Sequence, residues 1–536
     1  MPDCLIIVER GGYQSADLAT GEFRDAATKA FQIISKHVPA EIEALCSSNN
    51  SIQNKFHEAT EVEISLTSIA LGTSLSKMGV DYVLFDDENI IEKYQPQLEN
   101  ILASQVKFLC ISTTYLTDIR HLQKIINFFH ARNKDLPVII GGQVLDVWGD
   151  NALKKLDNVF CYCYGDMDIS FGKIVSALLK GESPDKMLTR TTKGEKSFYT
   201  IRENISDLDT TYFPDWELLT KANLNNNYYK EHQLPERIPI EERRGCPNKC
   251  AFCSYRTLNK HRQKSPNRIV SELTKLKKMG YSKFHFIGSE FLAPAKKSRE
   301  TLKLIIKNKL DLDILCYARI DMLAKHPDLI ELMAEAGVTT VYFGVESGDQ
   351  TILKNMNKNY NIENIPHIVE KLKQHSINVW ASFIFGFPGE TQETINNTAN
   401  FIKKSKFETI EFHALQVIPD TPLYTNKDDY QLTLLGGFWS HPTMSLSDVP
   451  KVIRQAYTDI FPHCDSSISN INDSIGKYFI LKDSNQNTHK KFEKFLNRLI
   501  YIQFCDTITD KEALTLEVWH EMKKHIKSFP KSLLTK

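Results

Sequence analysis

The sequence lacks the features that mark secreted, membrane-spanning and strongly charged proteins. No charged N-terminal segment precedes a long apolar run, so we expect no signal peptide. No apolar run reaches about eighteen residues, so no membrane-spanning helix is predicted. Lys+Arg and Asp+Glu both number 66, so no net charge attracts nucleic acid or an anionic membrane. We therefore predict a cytoplasmic protein that binds neither partner.

Cysteine is scarce for the length of the chain, with eleven among 536 residues. This count excludes a disulfide-stabilised scaffold, and the length is enough for three domains. Cys161 and Cys163 stand two apart on a predicted strand, so they face one side and are more typical of core packing than of a metal site. Five others are scattered as reduced core residues would be: Cys4, Cys46, Cys110, Cys316 and Cys505.

Three cysteines are instead concentrated in one stretch between Arg243 and Cys253. Cys246, Cys250 and Cys253 form a C-x3-C-x2-C array, with Phe252 directly before the last cysteine. Three thiolates on one loop can bind three irons of a cubane cluster and leave the fourth iron open, whereas most iron–sulfur clusters take four cysteines. The alternative is structural zinc, but the unequal spacing and the lack of a second Cys/His pair nearby argue against it.

Residues 1–182 alternate strand-length apolar runs with helical patterns, which predicts an α/β domain with a doubly wound parallel sheet of Rossmann type. In such sheets ligands bind beyond the carboxyl ends of the strands. Small and hydroxyl residues occupy those predicted ends, where they could contact a ligand or simply form turns: Ser112, Thr113, Gly141 and Gly142.

The rest of the chain divides into three predicted parts. Residues 183–235 are polar and without a long periodic run, so we predict a linker. Residues 236–425 contain six β/α units, which predict a partial (β/α)6 barrel with the cysteine loop after its first strand. Residues 426–536 are predicted to be a mainly helical cap, in which 436–442 form a loop.

Two residues of that loop are candidates for contact with a substrate. Trp439 and His441 could face the mouth of the barrel. A buried tryptophan and a hydrogen-bonded histidine are the alternative interpretation.

Three motifs together resemble the radical S-adenosylmethionine (SAM) superfamily over roughly 235–425: the cysteine loop, Gly344–Gly348 and Ile384–Thr391. The resemblance implies that Cys246, Cys250 and Cys253 ligate a [4Fe-4S] cluster whose open iron binds SAM. Cleavage of SAM would produce a 5′-deoxyadenosyl radical. It also implies SAM contacts for Phe252, Ser289, Glu290, Arg319, Glu346, Phe385 and Gly386.

The N-terminal domain is similar to the cobalamin-binding domain of the B12-dependent class of this superfamily. The resemblance implies that Ser112, Thr113, Gly141 and Gly142 border the nucleotide tail of cobalamin. The chain contains no Asp-x-His-x-x-Gly motif, whose histidine replaces the lower axial base in many cobalamin enzymes. This absence argues against a mutase more than against cobalamin binding.

The resulting hypothesis is a cobalamin-dependent radical methyltransferase acting on an unactivated carbon of a small-molecule or peptide precursor. An external electron donor such as flavodoxin or ferredoxin is implied as a partner. Three alternatives remain open. They are a cyclase or rearrangement enzyme with the same cofactors, a radical enzyme that has lost cobalamin, and a non-catalytic cobalamin or redox sensor.

Overall fold

The structure of the protein is a computed structural model, and its residues fall into two compact units. The described residues are 2–9, 17–37, 65–87, 89–114, 116, 118–149, 155–193, 196–220, 224–225, 237–255, 260–435, 437–464, 466–468 and 486–526. The first unit comprises 1–13, 62–247 and 255–289, and the second comprises 14–61, 248–254 and 290–536.

The elements of the N-terminal half alternate between strand and helix. In chain order they are β1 (Cys4–Glu9), α1 (Asp17–His37), α2 (Leu66–Lys77), β2 (Tyr82–Asp87), α3 (Ile90–Ala103), β3 (Phe108–Ser112), α4 (Ile119–His130), β4 (Val138–Gly141), α5 (Gln143–Trp148), β5 (Cys161–Gly165), α6 (Ser170–Leu179), β6 (Thr189–Lys193), β7 (Lys196–Glu203), β8 (Leu224–Asn225), β9 (Ile238–Ile240), β10 (Arg243–Arg244), β11 (Arg262–Gln263), α7 (Pro266–Lys278) and β12 (Lys283–Phe286).

The C-terminal half continues this pattern and then departs from it. Its elements are α8 (Ala295–Lys307), β13 (Asp313–Ala318), α9 (Ile320–Lys325), α10 (Asp328–Glu335), β14 (Val338–Glu346), α11 (Gln350–Asn355), α12 (Ile365–Gln374), β15 (Asn378–Phe385), α13 (Gln392–Ser405), β16 (Thr409–Ala414), α14 (Pro422–Thr425), β17 (Thr433–Leu435), β18 (Phe438–His441), β19 (Met444–Ser445), α15 (Val449–Ile460), β20 (Ser467–Ile468), α16 (Gln486–Phe504) and α17 (Lys511–Ile526).

The first unit is built on an eight-stranded sheet in the order β6-β7-β5-β4-β3-β1-β2-β8. Its central strands are parallel in the order β2-β1-β3-β4-β5, so the strand order reverses between β1 and β3. Ligands of doubly wound sheets bind at such a reversal, outside the carboxyl ends of the strands. The predicted doubly wound fold is confirmed, and an apolar core of strand and helix residues covers one of its faces.

The predicted linker at 183–235 is wrong over much of its length. Residues 189–203 form β6 and β7, which pair antiparallel with one another, and β7 pairs in parallel with β5. β6 lies at the edge of the sheet, where alternate side chains face water, and β7 lies between β6 and β5. Both strands are rich in polar residues. Because of this polar composition, the sequence did not predict the two strands. The run at 226–230 lies outside the described residues.

The second unit contains a parallel sheet in which β13, β14, β15, β16 and β20 are neighbours in that order. The predicted strands and helices of the barrel region are confirmed here, except that one predicted helix is split into α9 and α10. The break falls at His326 and Pro327, because proline cannot continue a helix that precedes it.

Helix α1 belongs to the second unit, although it lies within the predicted N-terminal domain 1–182. Phe23 on this helix contacts the rings of Phe412, Tyr457 and Phe504 at centroid distances of 6.2, 5.2 and 5.3 Å. Only tertiary packing decides to which unit α1 belongs, because the sequence pattern of an amphipathic helix does not say which core its apolar face contacts.

The C-terminal region is less uniformly helical than predicted. The predicted loop at 436–442 contains β18, which pairs antiparallel with β17 and β19. These strands have two to four residues, too few for a periodic pattern, and pairing satisfies their backbone hydrogen bonds. Helices α15, α16 and α17 agree with the prediction. In the described part of the chain, no helix is long and apolar enough to cross a membrane.

Candidate active site

A large cavity lies in the first unit at the carboxyl ends of β3, β4 and β5. Its volume is about 370 Å³, and it opens to solvent. Ser112, Gly141 and Gly142 line it, as the sequence predicted. The cavity is large enough for an extended organic ligand rather than for a single ion.

Thr113 is not among the residues that line this cavity, and its contact with cobalamin stays a prediction. Its hydroxyl donates to the carbonyl of Gly141 at 3.2 Å and accepts from the backbone N–H of Leu145 at 3.1 Å. The neighbouring Thr114 lines the cavity instead. Successive residues point to opposite sides as the strand ends, so one position decides which hydroxyl reaches the ligand.

Gly142 is the residue whose lack of a side chain shapes the cavity most clearly. Its φ is +121°, a conformation that favours glycine. A Cβ atom here would lie 2.7 Å from the backbone nitrogen of Thr114 and 2.9 Å from that of Thr113. Glycine at this position therefore lets the segments that follow β3 and β4 pack closely against each other.

The sequence did not predict part of the cavity wall. The former linker contributes Thr211, Tyr212, Phe213, Pro214 and Trp216. No histidine is among the described residues that line the cavity.

The residues that precede the cysteine loop form another side of the same cavity. Arg244 and Gly245 line it directly. The guanidinium of Arg244 donates to Asp166 at 2.8 Å, to Asp168 at 2.6 and 2.8 Å, and to Glu241 at 2.7 and 2.9 Å. Asp166 and Asp168 follow β5, so this arginine joins the end of the large sheet to the start of the cysteine loop.

The charges of this cluster reinforce one another. Burial by itself lowers the pKa of Arg244, but the charges of Glu241 and Asp168 outweigh it and raise the pKa well above its ordinary value. Burial likewise raises the pKa of Asp168, yet the charge and hydrogen bonds of Arg244 lower it overall. Arg262 also donates to Asp166. Arg244 and Asp168 therefore each favour the ionised form of the other.

Two further hydrogen bonds hold the start of the cysteine loop within the first unit. Glu242 accepts from the backbone N–H of Gly288 at 3.0 Å, and the Ser289 hydroxyl donates to the carbonyl of Gly245 at 2.8 Å. Ser289, predicted to contact SAM, thus lies on the cavity wall beside the loop. Its contact with SAM stays a prediction.

In the second unit, hydrogen bonds to the backbone fix the position of the rest of the cysteine loop. The N–H of Ala251 donates to the carbonyl of Met356 at 2.9 Å, and the carbonyl of Ala251 accepts from Leu423 at 2.8 Å. Asn357 donates to the carbonyl of Lys249 at 2.7 Å. The ring of Phe252 contacts that of Phe387 edge to face at 6.5 Å.

Arg319 contacts one of the three cysteines. Its Nη1 lies 3.5 Å from Sγ of Cys250, and its Nε donates to Asp321 at 2.9 Å. Burial lowers the pKa of Arg319, but Asp321 and Cys250 raise it overall. A fixed cation beside the sulfur favours the thiolate, which is the form that binds metal.

Glu346, predicted to bind SAM, ends β14 in a left-handed conformation with φ +72°. A register shift in the pairing of β14 with β15 occurs at this point, as bulges near functional sites do. The carboxylate accepts from Lys358 at 2.9 Å and from Ser382 at 3.3 Å. Burial lowers the pKa of Lys358, but the charge of Glu346 outweighs it and raises the pKa. The sequence offered no signal for Lys358, because it lies in a turn outside any motif.

Glu290 is fully buried, and its carboxylate accepts from the backbone N–H of Leu292 at 3.0 Å. Gly386, also predicted to contact SAM, has a φ of +96° and donates its N–H to Glu390 at 2.6 Å. Burial raises the pKa of Glu390 to about 8. The adjoining Phe385 is buried and accepts from the backbone N–H of Leu415 at 2.8 Å.

Trp439 and His441 pack behind Gly386 in the second unit. A Cβ on Gly386 would lie 2.4 Å from the indole of Trp439. The indole N–H donates to the carbonyl of Leu415 at 2.9 Å, and Nε2 of His441 lies 3.1 Å from the carbonyl of Gly386. Both side chains are buried, as the structural alternative predicted, and their contact with a substrate stays a prediction.

The family comparison bears on these residues directly. A model of the Radical SAM superfamily matches residues 243–402, which include the cysteine loop, Arg319, Glu346 and Gly386. The chain carries a radical SAM domain. Such a domain implies a [4Fe-4S] cluster and SAM as cofactors, and enzymes that contain it need a reductant. Which residues hold the cofactors stays a prediction. Across the described residues, no group of three or more His, Cys, Asp and Glu side chains is arranged to hold a single metal ion.

Two curated relatives are similar to this chain. An uncharacterized methyltransferase of Pyrococcus horikoshii is 25% identical over 395 residues, which cover 71% of this chain and 82% of that protein. The hopanoid C-2 methylase of Rhodopseudomonas palustris is 30% identical over 310 residues, which cover 55% of this chain and 53% of the methylase. The chain therefore spans about half the length of the latter.

A solved structure matches the fold along nearly the whole chain. It is the radical SAM methyltransferase TsrM from Kitasatospora setae, determined with cobalamin and a [4Fe-4S] cluster bound. The TM-score is 0.58 at 13% identity, and the match covers 98% of this chain and 100% of TsrM. The predicted α/β architecture, a doubly wound domain before a radical SAM domain, is confirmed as a fold.

Proposed function

We propose that the chain is a cobalamin-dependent radical SAM methyltransferase that modifies an unactivated carbon of a small-molecule or peptide substrate. One observation carries the proposal. A single cavity of the first unit is lined both by the carboxyl ends of β3 to β5 and by Arg244 and Gly245, which directly precede Cys246. A cofactor bound in this cavity would lie next to the start of the cluster-binding loop.

The residues of the cavity fit cobalamin. Ser112 and Thr114 offer hydroxyls, and the bare backbone at Gly141 and Gly142 permits close approach. The absence of histidine from the described lining agrees with the absence of the Asp-x-His-x-x-Gly motif. Ser112, Thr114, Gly141 and Gly142 would border the nucleotide tail of cobalamin.

When bound, the cluster and SAM would supply a 5′-deoxyadenosyl radical and cobalamin would supply a methyl group. The residues of this chain would position these groups. Cys246, Cys250 and Cys253 would ligate the cluster, and Arg319 would offset the negative charge of the sulfur ligands. Glu346, held by Lys358 and Ser382, would accept from the amino group of SAM.

The relatives support methyl transfer as the outcome. The hopanoid C-2 methylase and the Pyrococcus protein are both named as methyl-transferring enzymes, and TsrM adds a cobalamin-bound methyltransferase of the same fold. We extend that activity to this chain as a proposal. A flavodoxin or ferredoxin would be the reductant, since the cluster needs a low-potential electron.

Anaerobic reconstitution with iron, sulfide and cobalamin tests the proposal. We expect ultraviolet–visible bands of both cofactors, 5′-deoxyadenosine after reduction, and methyl transfer from isotopically labelled SAM to the bound cobalamin. A reconstituted protein that cleaves SAM but retains no cobalamin would refute the methyltransferase proposal. A protein that binds both but leaves label off every product would favour rearrangement chemistry instead.

A further inference from the structure

The sheet of the second unit has one face that is unusual for parallel strands. Alternate residues of β13 to β16 point to one side and form an apolar core, including Val341, Phe383 and Phe412. The other face is only half-buried and carries polar and aromatic side chains: Tyr317, Tyr342, Trp380, Glu411 and His413. Because parallel sheets normally bury apolar residues on both faces, this composition indicates a binding surface.

Three aromatic rings form a row across this face. The rings of Tyr317 and Tyr342 lie 5.1 Å apart, and those of Tyr342 and Trp380 lie 5.3 Å apart. Their positions are paired in register along β13, β14 and β15. The planes of neighbouring rings are inclined by 69° and 53°, so the row presents ring edges and faces against which an unsaturated ligand can pack.

A charged pair stands at one end of the row. The Tyr342 hydroxyl donates to Glu411 at 2.9 Å, and Nε2 of His413 lies 3.6 Å from the same carboxylate oxygen. Burial alone would lower the pKa of His413, but the hydrogen bond and charge of Glu411 outweigh it and raise the pKa. Burial raises the pKa of Glu411, and His413 and Tyr342 lower it overall. Glu411 therefore favours the protonated, imidazolium form of His413.

The imidazolium has a second N–H that this pair does not use. Both polar contacts of the ring, with Glu411 and with Tyr342 at 3.4 Å, involve Nε2. Among the described residues no group forms a hydrogen bond with Nδ1, and 35% of the side chain is exposed. A protonated Nδ1 is thus a hydrogen-bond donor presented to the open face.

This face adjoins the residues proposed for SAM. Ser382 pairs in register with Glu411 on β16 and with Gly344 on β14. Its hydroxyl donates to Glu346 at 3.3 Å. A ligand on the aromatic row would therefore lie beside Glu346, on the same face of the same sheet.

We propose that this face binds the substrate, and that the substrate has a flat unsaturated body with a carbonyl or carboxylate oxygen that accepts from Nδ1 of His413. The aromatic row packs on the body, and Tyr342 and Glu411 hold the imidazolium in place. The inference rests on the proposed function only in calling the ligand a substrate, because binding to this face needs neither cobalamin nor the cluster. A cationic substrate is disfavoured, because its charge would meet the imidazolium.

Three small probes with one ring and different end groups test the charge preference. Phenylacetate, phenylacetamide and phenethylamine are titrated into the full-length reconstituted protein and followed by calorimetry and saturation-transfer NMR. We expect phenylacetate to bind about tenfold more tightly than phenethylamine, the ratio that one hydrogen bond to a charged group contributes. Phenylacetamide should lie between them.

Two variants locate the effect on this face. His413→Gln should reduce the ratio between phenylacetate and phenethylamine to about one, whereas Trp380→Leu should weaken all three probes without changing their order. His375→Gln, at an exposed position after α12, is the matched control and should leave the ratio intact. If His413→Gln does not fold, His413→Asn serves in its place.

The inference is overturned if phenethylamine binds as tightly as phenylacetate, if His413→Gln keeps the original ratio, or if no probe binds at millimolar concentration. The readout is independent of the proposed function. A protein without cobalamin or methyl transfer can still show the ratio, and a confirmed methyltransferase can still lack it.

Discussion

The cavity of the first unit and the open sheet face of the second unit present polar groups in different ways. In the cavity, ligand contact is offered by bare backbone at Gly141 and Gly142 and by neutral hydroxyls, while Arg244 is held by three carboxylates. On the sheet face, charges stand in one-to-one pairs, Glu346 with Lys358 and Glu411 with His413.

This difference separates recognition by shape from recognition by charge. An arginine with three anionic partners has no hydrogen-bonding capacity left for a ligand, so its effect is to hold the wall of the cavity. A one-to-one pair leaves lone pairs and N–H groups that a ligand can use. The first unit is thus suited to a large cofactor with a fixed outline, and the second to small charged groups.

The largest effect is expected from the cysteine loop. Alanine in place of Cys246, Cys250 or Cys253 should abolish both the cluster spectrum and the reductive cleavage of SAM, because a cubane held by two thiolates is lost. Iron content, absorbance and 5′-deoxyadenosine yield are the measurements. Cys505→Ser, a half-buried cysteine of α16's C-terminal turn, is the control. Survival of cleavage in any alanine variant would show that the cluster is held elsewhere.

A smaller but still large effect is expected from Arg244→Met. The change leaves Asp168 and Glu241 as uncompensated, largely buried carboxylates, so we expect a loss of about 3–5 kcal/mol in the free energy of unfolding. Urea unfolding measures it. Arg120→Met breaks an exposed pair with Asp118 and should leave stability unchanged. Equal stability of the two variants would mean that Arg244 does not hold the cavity wall.

Gly142→Ala examines shape recognition in the cavity. The new Cβ would meet the backbone of Thr113 and Thr114, so the strand end must shift and cobalamin affinity should fall by about tenfold or more. Spectrophotometric titration with hydroxocobalamin provides the measurement. Gly181→Ala is the control. Gly181 also has a positive φ, +79°, but no atom lies within 4 Å of the position of a Cβ, so this variant measures the effect of backbone strain alone. Unchanged affinity in Gly142→Ala would contradict the cavity assignment.

The smallest effect concerns Glu390, whose pKa burial raises to about 8. Between its unfolded pKa, about 4.3, and about 8, the folded state keeps a proton that the unfolded state has lost. Stability should therefore fall as pH rises through this window, by at most about 1.4 kcal/mol per pH unit. Glu390→Gln should remove this part of the slope between about pH 5.5 and 7.5. The free energy of unfolding is measured with urea at several pH values. If it changed with pH equally in the wild type and in the variant, a protonated Glu390 would be contradicted.

Local pattern was sufficient for some elements and not for others. The buried strands that contain Cys110 and Phe383 were predicted because each is a continuous run of mostly apolar residues. Strands β6 and β7 were missed because the edge strand β6 and its neighbour β7 are both polar, so they resemble a linker in composition. Thr114 was missed in favour of Thr113, since the side that a residue faces at a strand end depends on the next turn of the backbone.

By itself the sequence determined the spacing of Cys246, Cys250 and Cys253, the two runs of β/α alternation, and the glycine and carboxylate motifs that follow the strands. These depend on neighbours along the chain, which local chemistry controls. Only the tertiary structure decided that Arg244 joins the cysteine loop to Asp166 and Asp168, and that Lys358 pairs with Glu346. Such pairs depend on how distant strand ends meet, and no local pattern encodes that distance.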